Sequence, residues 1–173
     1  MGNIITAHHD YSIPDLVMNN GLTSVFLSVL LLSGSEIAQT DWEVASLVWL
    51  AEHDQGIVGS GTVGFDVWDL VWTYDGFAEQ RAFLLRVVDG ALARHGWVRL
   101  DYQPPEELLF PALVAFREMV ASYPSEYAHK SPWESPWAEA ALRADRATCP
   151  RHGVYLHSLG ESDAECCIVC NDT

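Results

Sequence analysis

All four cysteines of this 173-residue chain lie between positions 149 and 170, and their spacing constrains the fold more than any other feature. Cys149-Pro150-Arg151-His152 opens the stretch and Cys167-Ile168-Val169-Cys170 closes it. Each pair leaves two residues between its donors, so one tight turn can present both to a single point. A Zn²⁺ ion takes four tetrahedral thiolate or imidazole ligands, and two such pairs joined by a loop supply them. Cys149, His152, Cys167 and Cys170 are therefore the expected metal ligands. Cys166 is the spare thiol, because only Cys167 stands two residues before Cys170; an exchange between the two stays open. His157 is an alternative to His152 that gives up the knuckle spacing.

The first pair and the residue after it, Cys149-Pro150-Arg151-His152-Gly153, resemble the Cys-Pro-x-Cys-Gly knuckle of treble-clef and zinc-ribbon modules, with one thiolate exchanged for imidazole. The resemblance covers residues 149–170 alone. It implies that Gly153 closes the turn and leaves backbone N–H groups free to point at sulfur. The tail offers only Val154, Tyr155, Leu156, Leu159, Ile168 and Val169 for burial, and falls below the ~40 residues an unaided core needs. A structural zinc contributes an apparent ~10–16 kcal/mol in finger peptides, more than this apolar set supplies. A closed four-ligand structural site is thus expected over a catalytic one, which keeps three ligands and a water. The competing reading, two disulfides, needs an oxidising compartment that nothing in the chain argues for.

The rest of the chain is long enough for one ordinary domain. Apolar residues make up 49% of the sequence, with seven tryptophans, so a sizeable core is available and disorder is not expected. The first 20 residues carry no Lys or Arg, and His8, His9 and Asp10 interrupt any apolar region, which argues against a secretory signal. The apolar run Val25–Leu32 is far short of the ~20 residues of a membrane span and reads as a buried helix. A cytoplasmic, reduced protein is the expectation, with no membrane contact.

Charge is distributed unevenly. Net charge is −15, yet Met1 to Gln80 contains no Lys or Arg against eleven acids: Asp10, Asp15, Glu36, Asp41, Glu43, Glu52, Asp54, Asp66, Asp69, Asp75 and Glu79. From Arg81 on, thirteen acids face nine bases. The first half should project a negative potential that repels nucleic acid and anionic membranes and attracts a basic protein. High acidity also serves solubility alone, and that plainer account competes.

The pattern predicts a mainly α fold: a multi-helix domain over residues 1–148 and a small zinc ribbon over 149–173. Ser12 with Pro14 starts a brief helical segment ending near Gly21. Leu22–Ser33 is apolar nearly all round, as a central helix would be, with Gly34 closing it. Thr40-Asp41-Trp42-Glu43 is a capping box ahead of Val44, Leu47, Val48 and Leu50, a helix that runs to about Asp54. Gly56–Gly64 reads as a loop or weak hairpin. A long helix runs from Gly76 to His95-Gly96, Trp97–Tyr102 is extended, and another helix spans Glu106–Ser122 with an interruption at Pro111. Ser135-Pro136 opens the last helix, ending near Thr148.

Several constellations bear on function. Gly59-Ser60-Gly61-Thr62-Val63-Gly64 matches G-x-G-x-x-G, but lacks the preceding strand and any nearby cation to meet phosphate, so a flexible turn is expected. His8, His9 and His53 are candidate acid–base groups, although no spacing links them. The segment Asp66-Val67-Trp68-Asp69-Leu70-Val71-Trp72-Thr73-Tyr74-Asp75 alternates large aromatics with carboxylates, the chemistry that anchors an Arg or Lys of a partner. Asp66, Trp68, Asp69, Trp72, Tyr74 and Asp75 are accordingly the candidate partner-binding residues; core packing of Trp68 and Trp72 is the competing account. Trp133, Glu134 and Trp137 repeat the theme.

The leading functional expectation is a non-catalytic acidic binding protein, inhibitor-, immunity- or antitoxin-like by charge analogy, that docks a basic partner and is stabilised by structural zinc. An enzyme using His8, His9 and His53 or the glycine loop, and a scaffold that docks through the ribbon, are the alternatives.

Overall fold

A computed structural model describes residues 3–53, 64–70, 72–128, 147–159 and 162–171. In chain order they form β1 (Asn3–Thr6), β2 (Leu16–Met18), α1 (Asn20–Ile37), α2 (Asp41–Glu52), β3 (Gly64–Asp66), α3 (Phe77–Leu92), α4 (Glu106–Ser122), β4 (His157–Leu159), β5 (Ser162–Cys166) and α5 (Ile168–Asn171), with short 3₁₀ turns at Val67–Asp69, Trp97–Arg99 and Ser125–Tyr127. The fold is mainly helical, as the periodicity predicts. The glycine loop before Gly64, the Trp133–Trp137 segment and the expected helix from Ser135 lie outside the described residues.

Helix α1 is the hub. Every residue from Phe26 to Gly34 is buried, so the all-round apolar pattern describes a helix enclosed by neighbours. Its length and composition would also suit a membrane span, but here it is the core helix. The Asn19 side chain caps it by accepting from Leu22 N–H at 2.8 Å. The helix continues three residues past Gly34, because Gly34 is a contact point and not a stop: a Cβ there would lie 2.4 Å from Leu47 Cδ2 of α2. Helices α2, α3 and α4 pack around it.

The capping box of α2 is present in full. Thr40 Oγ1 accepts from Glu43 N–H, and Glu43 Oε2 accepts from Thr40 N–H. Helix α4 runs unbroken through Pro111, contrary to the expected interruption. Pro111 is exposed, so the carbonyl its missing N–H would have bonded can turn to water. The helix holds its line through Leu109, Ala112, Leu113, Phe116, Met119 and Val120, buried at helical spacing.

Two other expectations are corrected. Residues 12–18 are not helical: Asp10 Oδ1 accepts from both Ser12 N–H and Ser12 Oγ, closing a turn, and Leu16–Met18 is a strand. Trp97–Arg99 is a 3₁₀ turn and not extended, entered through Gly96 at φ 77°. Together β2, β1 and β3 form a small sheet, β1 antiparallel to β2 and parallel to β3, with Thr6 opposite Asp66. Ile5 and Phe65 face the helices, while Ile4, Thr6, Gly64 and Asp66 line the outer face.

The C-terminal tail does not stand apart from the helices. Cys149, Val154, Cys167, Ile168 and Val169 belong to the same buried cluster as α1–α4. Tyr155 N–H donates to Ser35 Oγ of α1 at 3.3 Å, and Arg151 pairs with Asp101.

Candidate functional site

The knuckle is built by backbone geometry. Cys149 N–H donates to Val154 O at 2.8 Å, and Gly153 N–H donates back to Cys149 O at 2.7 Å. Gly153 sits at φ 66°, a conformation that side chains resist, and it lets the loop close. Closure aims the backbone N–H groups of Arg151 and His152 at the Cys149 sulfur. Cys167 immediately precedes α5 and Cys170 lies within it, three residues on and therefore on the same side of the turn. The β4–β5 hairpin, which pairs His157 with Cys166, carries the second pair to the first.

The donor atoms of Cys149, His152, Cys167 and Cys170 all lie within 4.8 Å of one another and could bind a metal ion. His152 Nδ1 stands 3.7 Å from Cys149 Sγ, 3.5 Å from Cys167 Sγ and 3.4 Å from Cys170 Sγ. The Cys149 and Cys170 sulfurs are 3.9 Å apart. A tetrahedral ion with metal–sulfur bonds of ~2.3 Å and a metal–nitrogen bond of ~2.0–2.1 Å sets edges of about 3.8 Å between sulfurs and about 3.6 Å between sulfur and nitrogen. The observed edges match that figure. They exclude a disulfide between Cys149 and Cys170, whose sulfurs would be ~2.0 Å apart.

Electrostatics agree with a cation site. Burial pushes the Cys167 thiol up to about 12, helped by its thiol neighbours. Burial also works against ionisation of Cys149, but the two N–H groups of the knuckle and the thiols of Cys167 and Cys170 bring it below its ordinary value. Three thiols this close cannot all ionise unless a cation sits among them. Cys166 is directed away from the cluster: its sulfur lies 3.0 Å from His157 Nε2. His157 is buried, which holds its imidazole down at about 4, and it is not among the four clustered donors.

A second feature lies on the outer face of the sheet, where a recess of about 860 Å³ opens. Ile4, Thr6, Gly64 and Asp66 form its floor; His8, His9, Trp68, Asp69 and Tyr127 stand around it. His8 and His9 come to the same recess because they occupy a turn, closed by Asp10 N–H to Ala7 O, which breaks the alternation of β1. Asp66 is the organiser. Its Oδ2 accepts from Thr6 Oγ1 at 2.6 Å and His8 N–H at 2.9 Å, and lies 3.0 Å from His8 Nδ1. Its Oδ1 accepts from Trp68 N–H at 2.8 Å. Burial disfavours the Asp66 carboxylate, yet these bonds leave its pKa below the ordinary value.

The candidate partner-binding residues separate in space. Trp72 is fully buried, stacked on Tyr123 at 5.1 Å with its Nε1–H bonded to Val67 O, so it offers no surface. Asp66 is committed to the turn. Trp68, Asp69, Tyr74 and Asp75 are exposed. Of the other acids of the first half, Glu36 pairs with Arg99 at 2.7 Å and Glu43 with Arg86 at 3.6 Å. His53 is not at the recess. It lies against Trp49 at 3.8 Å, with Nδ1–H donating to Trp49 O, and burial lowers its pKa. Tyr127 is not legible from sequence as a recess residue: it follows Pro124 in a 3₁₀ turn and carries no motif.

Comparison with known proteins gives no match to a family model, to a curated protein or to a solved structure.

Proposed function

We propose that this is a non-catalytic binding protein, of the inhibitor, immunity or antitoxin kind, that docks a basic protein partner and is held together by one structural zinc ion. The observation that carries the docking half is the recess. Two carboxylates, a tryptophan and a tyrosine converge there, and its described lining contains no Lys or Arg. Trp68 and Asp69 remain exposed beside it, and Tyr74 and Asp75 extend the exposed acidic and aromatic surface. Aromatic anchors next to carboxylates select cationic groups, and a cation-free half steers them in. The zinc half rests on chemistry: three sulfurs and one imidazole at tetrahedral edges favour Zn²⁺ over harder ions, and a closed set leaves no position for substrate.

The test is retention of a basic protein from the native host at low salt, followed by kinetics with the purified partner. Association should slow steeply as salt rises, because the steering field is screened over ~10 Å at 0.1 M. Retention of no basic protein at low salt would contradict the reading.

One observation favours a second reading. His8 Nδ1 is oriented by Asp66, an arrangement that leaves Nε2 as a base at the recess, the logic of a carboxylate-oriented histidine in acid–base catalysis. Under that reading His8→Gln abolishes a turnover that the wild type supports; under the first, His8→Gln leaves stoichiometric binding within about twofold.

A further inference from the structure

The recess has a composition more specific than negative charge. Resting on the docking reading above, we propose that it is the anchor point of that docking face and takes the guanidinium group of an arginine side chain from the basic partner.

Asp66 and Asp69 make the recess negative: burial first, and then these two carboxylates, raise the neighbouring Tyr123 phenol above its ordinary range. The two acids divide the work. Asp66 is consumed by Thr6, His8 and Trp68 and serves to fix the turn. Asp69 commits only its Oδ2 to that purpose, accepting from Asp66 N–H at 2.8 Å, and its Oδ1 takes no hydrogen bond from the described residues. Among the described residues, that oxygen is left to meet a donor.

The walls are aromatic. The Trp68 and Tyr127 rings have centroids 5.6 Å apart, tilted by 38°, and each residue is 42% exposed. A planar, weakly hydrated guanidinium stacks on such faces, whereas a compact ammonium keeps its water. Trp68 and Asp69 share one 3₁₀ turn held by Asp66, so the ring and the carboxylate are positioned before any ligand arrives.

His9 also lines the recess. Ser122 Oγ donates to Met119 O, so it must accept from His9 Nε2–H, and the other ring nitrogen, Nδ1, is then a bare acceptor. That Nδ1 is buried, with no hydrogen-bond partner among the described residues. A guanidinium carries five N–H donors in a rigid fork, whereas an ammonium carries three on a single atom.

The experiment is an NMR titration of the metal-loaded, full-length protein with N-acetyl-arginine amide, N-acetyl-lysine amide and N-acetyl-citrulline amide. The Trp68 indole signal is identified from its loss in Trp68→Phe. Arginine should shift the Trp68 and His9 signals with millimolar affinity, lysine should bind at least fivefold more weakly, and neutral citrulline should shift neither. Asp69→Asn should weaken arginine at least fivefold while leaving the thermal midpoint within 2–3 °C of wild type. Equal shifts by citrulline, a preference for lysine, or an unchanged Asp69→Asn affinity would overturn the assignment. The two readings fail separately. Partner retention that survives Asp69→Asn undiminished removes the arginine anchor and keeps the docking face. Arginine binding without any retained basic partner keeps the guanidinium site and removes the docking face.

Discussion

Arg99 donates from Nη1 to the backbone carbonyl of His152 at 3.2 Å, while its Nη2 meets Glu36 of α1 at 2.7 Å. One side chain thus ties the loop bearing a candidate metal donor to the central helix. Gly153 lies under it, since a Cβ there would stand 3.1 Å from Arg99 Nη1. Body and tail share one core, so removing the proposed zinc should cost the whole fold and not the tail alone.

Chelation at neutral pH, or Cys167→Ser, is expected to lower the thermal midpoint by about 10 °C or more in a single transition, the size a loss of several kcal/mol produces in a chain of this length. Far-UV circular dichroism and one-to-one metal loss should move together. For the same reason, deletion of residues 149–173 should leave a poorly folded helical body, not an independent domain.

The four-residue cluster is legible in the sequence because ligand spacing is local: two residues between donors fix a turn whatever surrounds it. The capping box at Thr40 is legible for the same reason. The sheet is not, because Thr6 pairs with Asp66 across sixty positions through strands of three and four residues, too short for alternation to register. Leu16-Val17-Met18 after Pro14 is the available signal, and the proline points instead toward a helix start. Trp68 and Trp72 look alike at helical spacing, but the 3₁₀ turn ends at Asp69, and the chain then turns one ring outward and the other into the core. His8 and His9 share the recess only through a turn that strand alternation hides.

Helices α1 and α3 meet at a pair of small residues. A Cβ on Gly90 would lie 2.1 Å from Ser33 Oγ, and that hydroxyl is buried with no hydrogen-bond partner among the described residues. Gly90→Ala should therefore destabilise by about 1–3 kcal/mol, despite a helix-propensity gain of up to ~1 kcal/mol. Ser33→Ala alone should stay within ~1 kcal/mol of wild type, because no hydrogen bond is lost. The double variant should recover at least half the Gly90→Ala loss in urea unfolding, the signature of direct contact.

Glu52 gives a pH dependence of unusual sign. Burial raises its carboxyl to about 7, so the folded state binds this proton more tightly than the unfolded chain. Stability from this group is complete below the unfolded value of about 4.5 and falls as pH rises toward 7. Glu52→Gln should match wild type near pH 4.5 and exceed it above pH 7 by about 1 kcal/mol, the full shift being discounted for partial exposure. Burial disfavours the imidazolium forms of His53 and His157, so the fold loses stability as pH falls through ~6.5, and the comparison must be made between the two proteins at each pH.

Asp66 joins β1, the His8 turn and the Trp68 turn. Asp66→Ala should cost about 2–4 kcal/mol at pH 7 by stranding the Thr6, His8 and Trp68 donors. Because the folded carboxyl lies below its ordinary value, this contribution is present above pH ~4 and fades as pH falls through the folded pKa. Urea titrations at pH 7 and pH 3 should show the gap between variant and wild type narrowing.

The occupant of the four-donor cluster is the central question, since the cluster lies where the tail joins the shared core. X-ray absorption at the zinc edge, on purified full-length protein with its metal content measured, decides it. The expected result is one zinc per chain with three sulfurs at ~2.3 Å and one nitrogen at ~2.0–2.1 Å. A metal-free folded protein, an oxygen-rich shell, or a four-sulfur shell that brings Cys166 in place of His152 would contradict it.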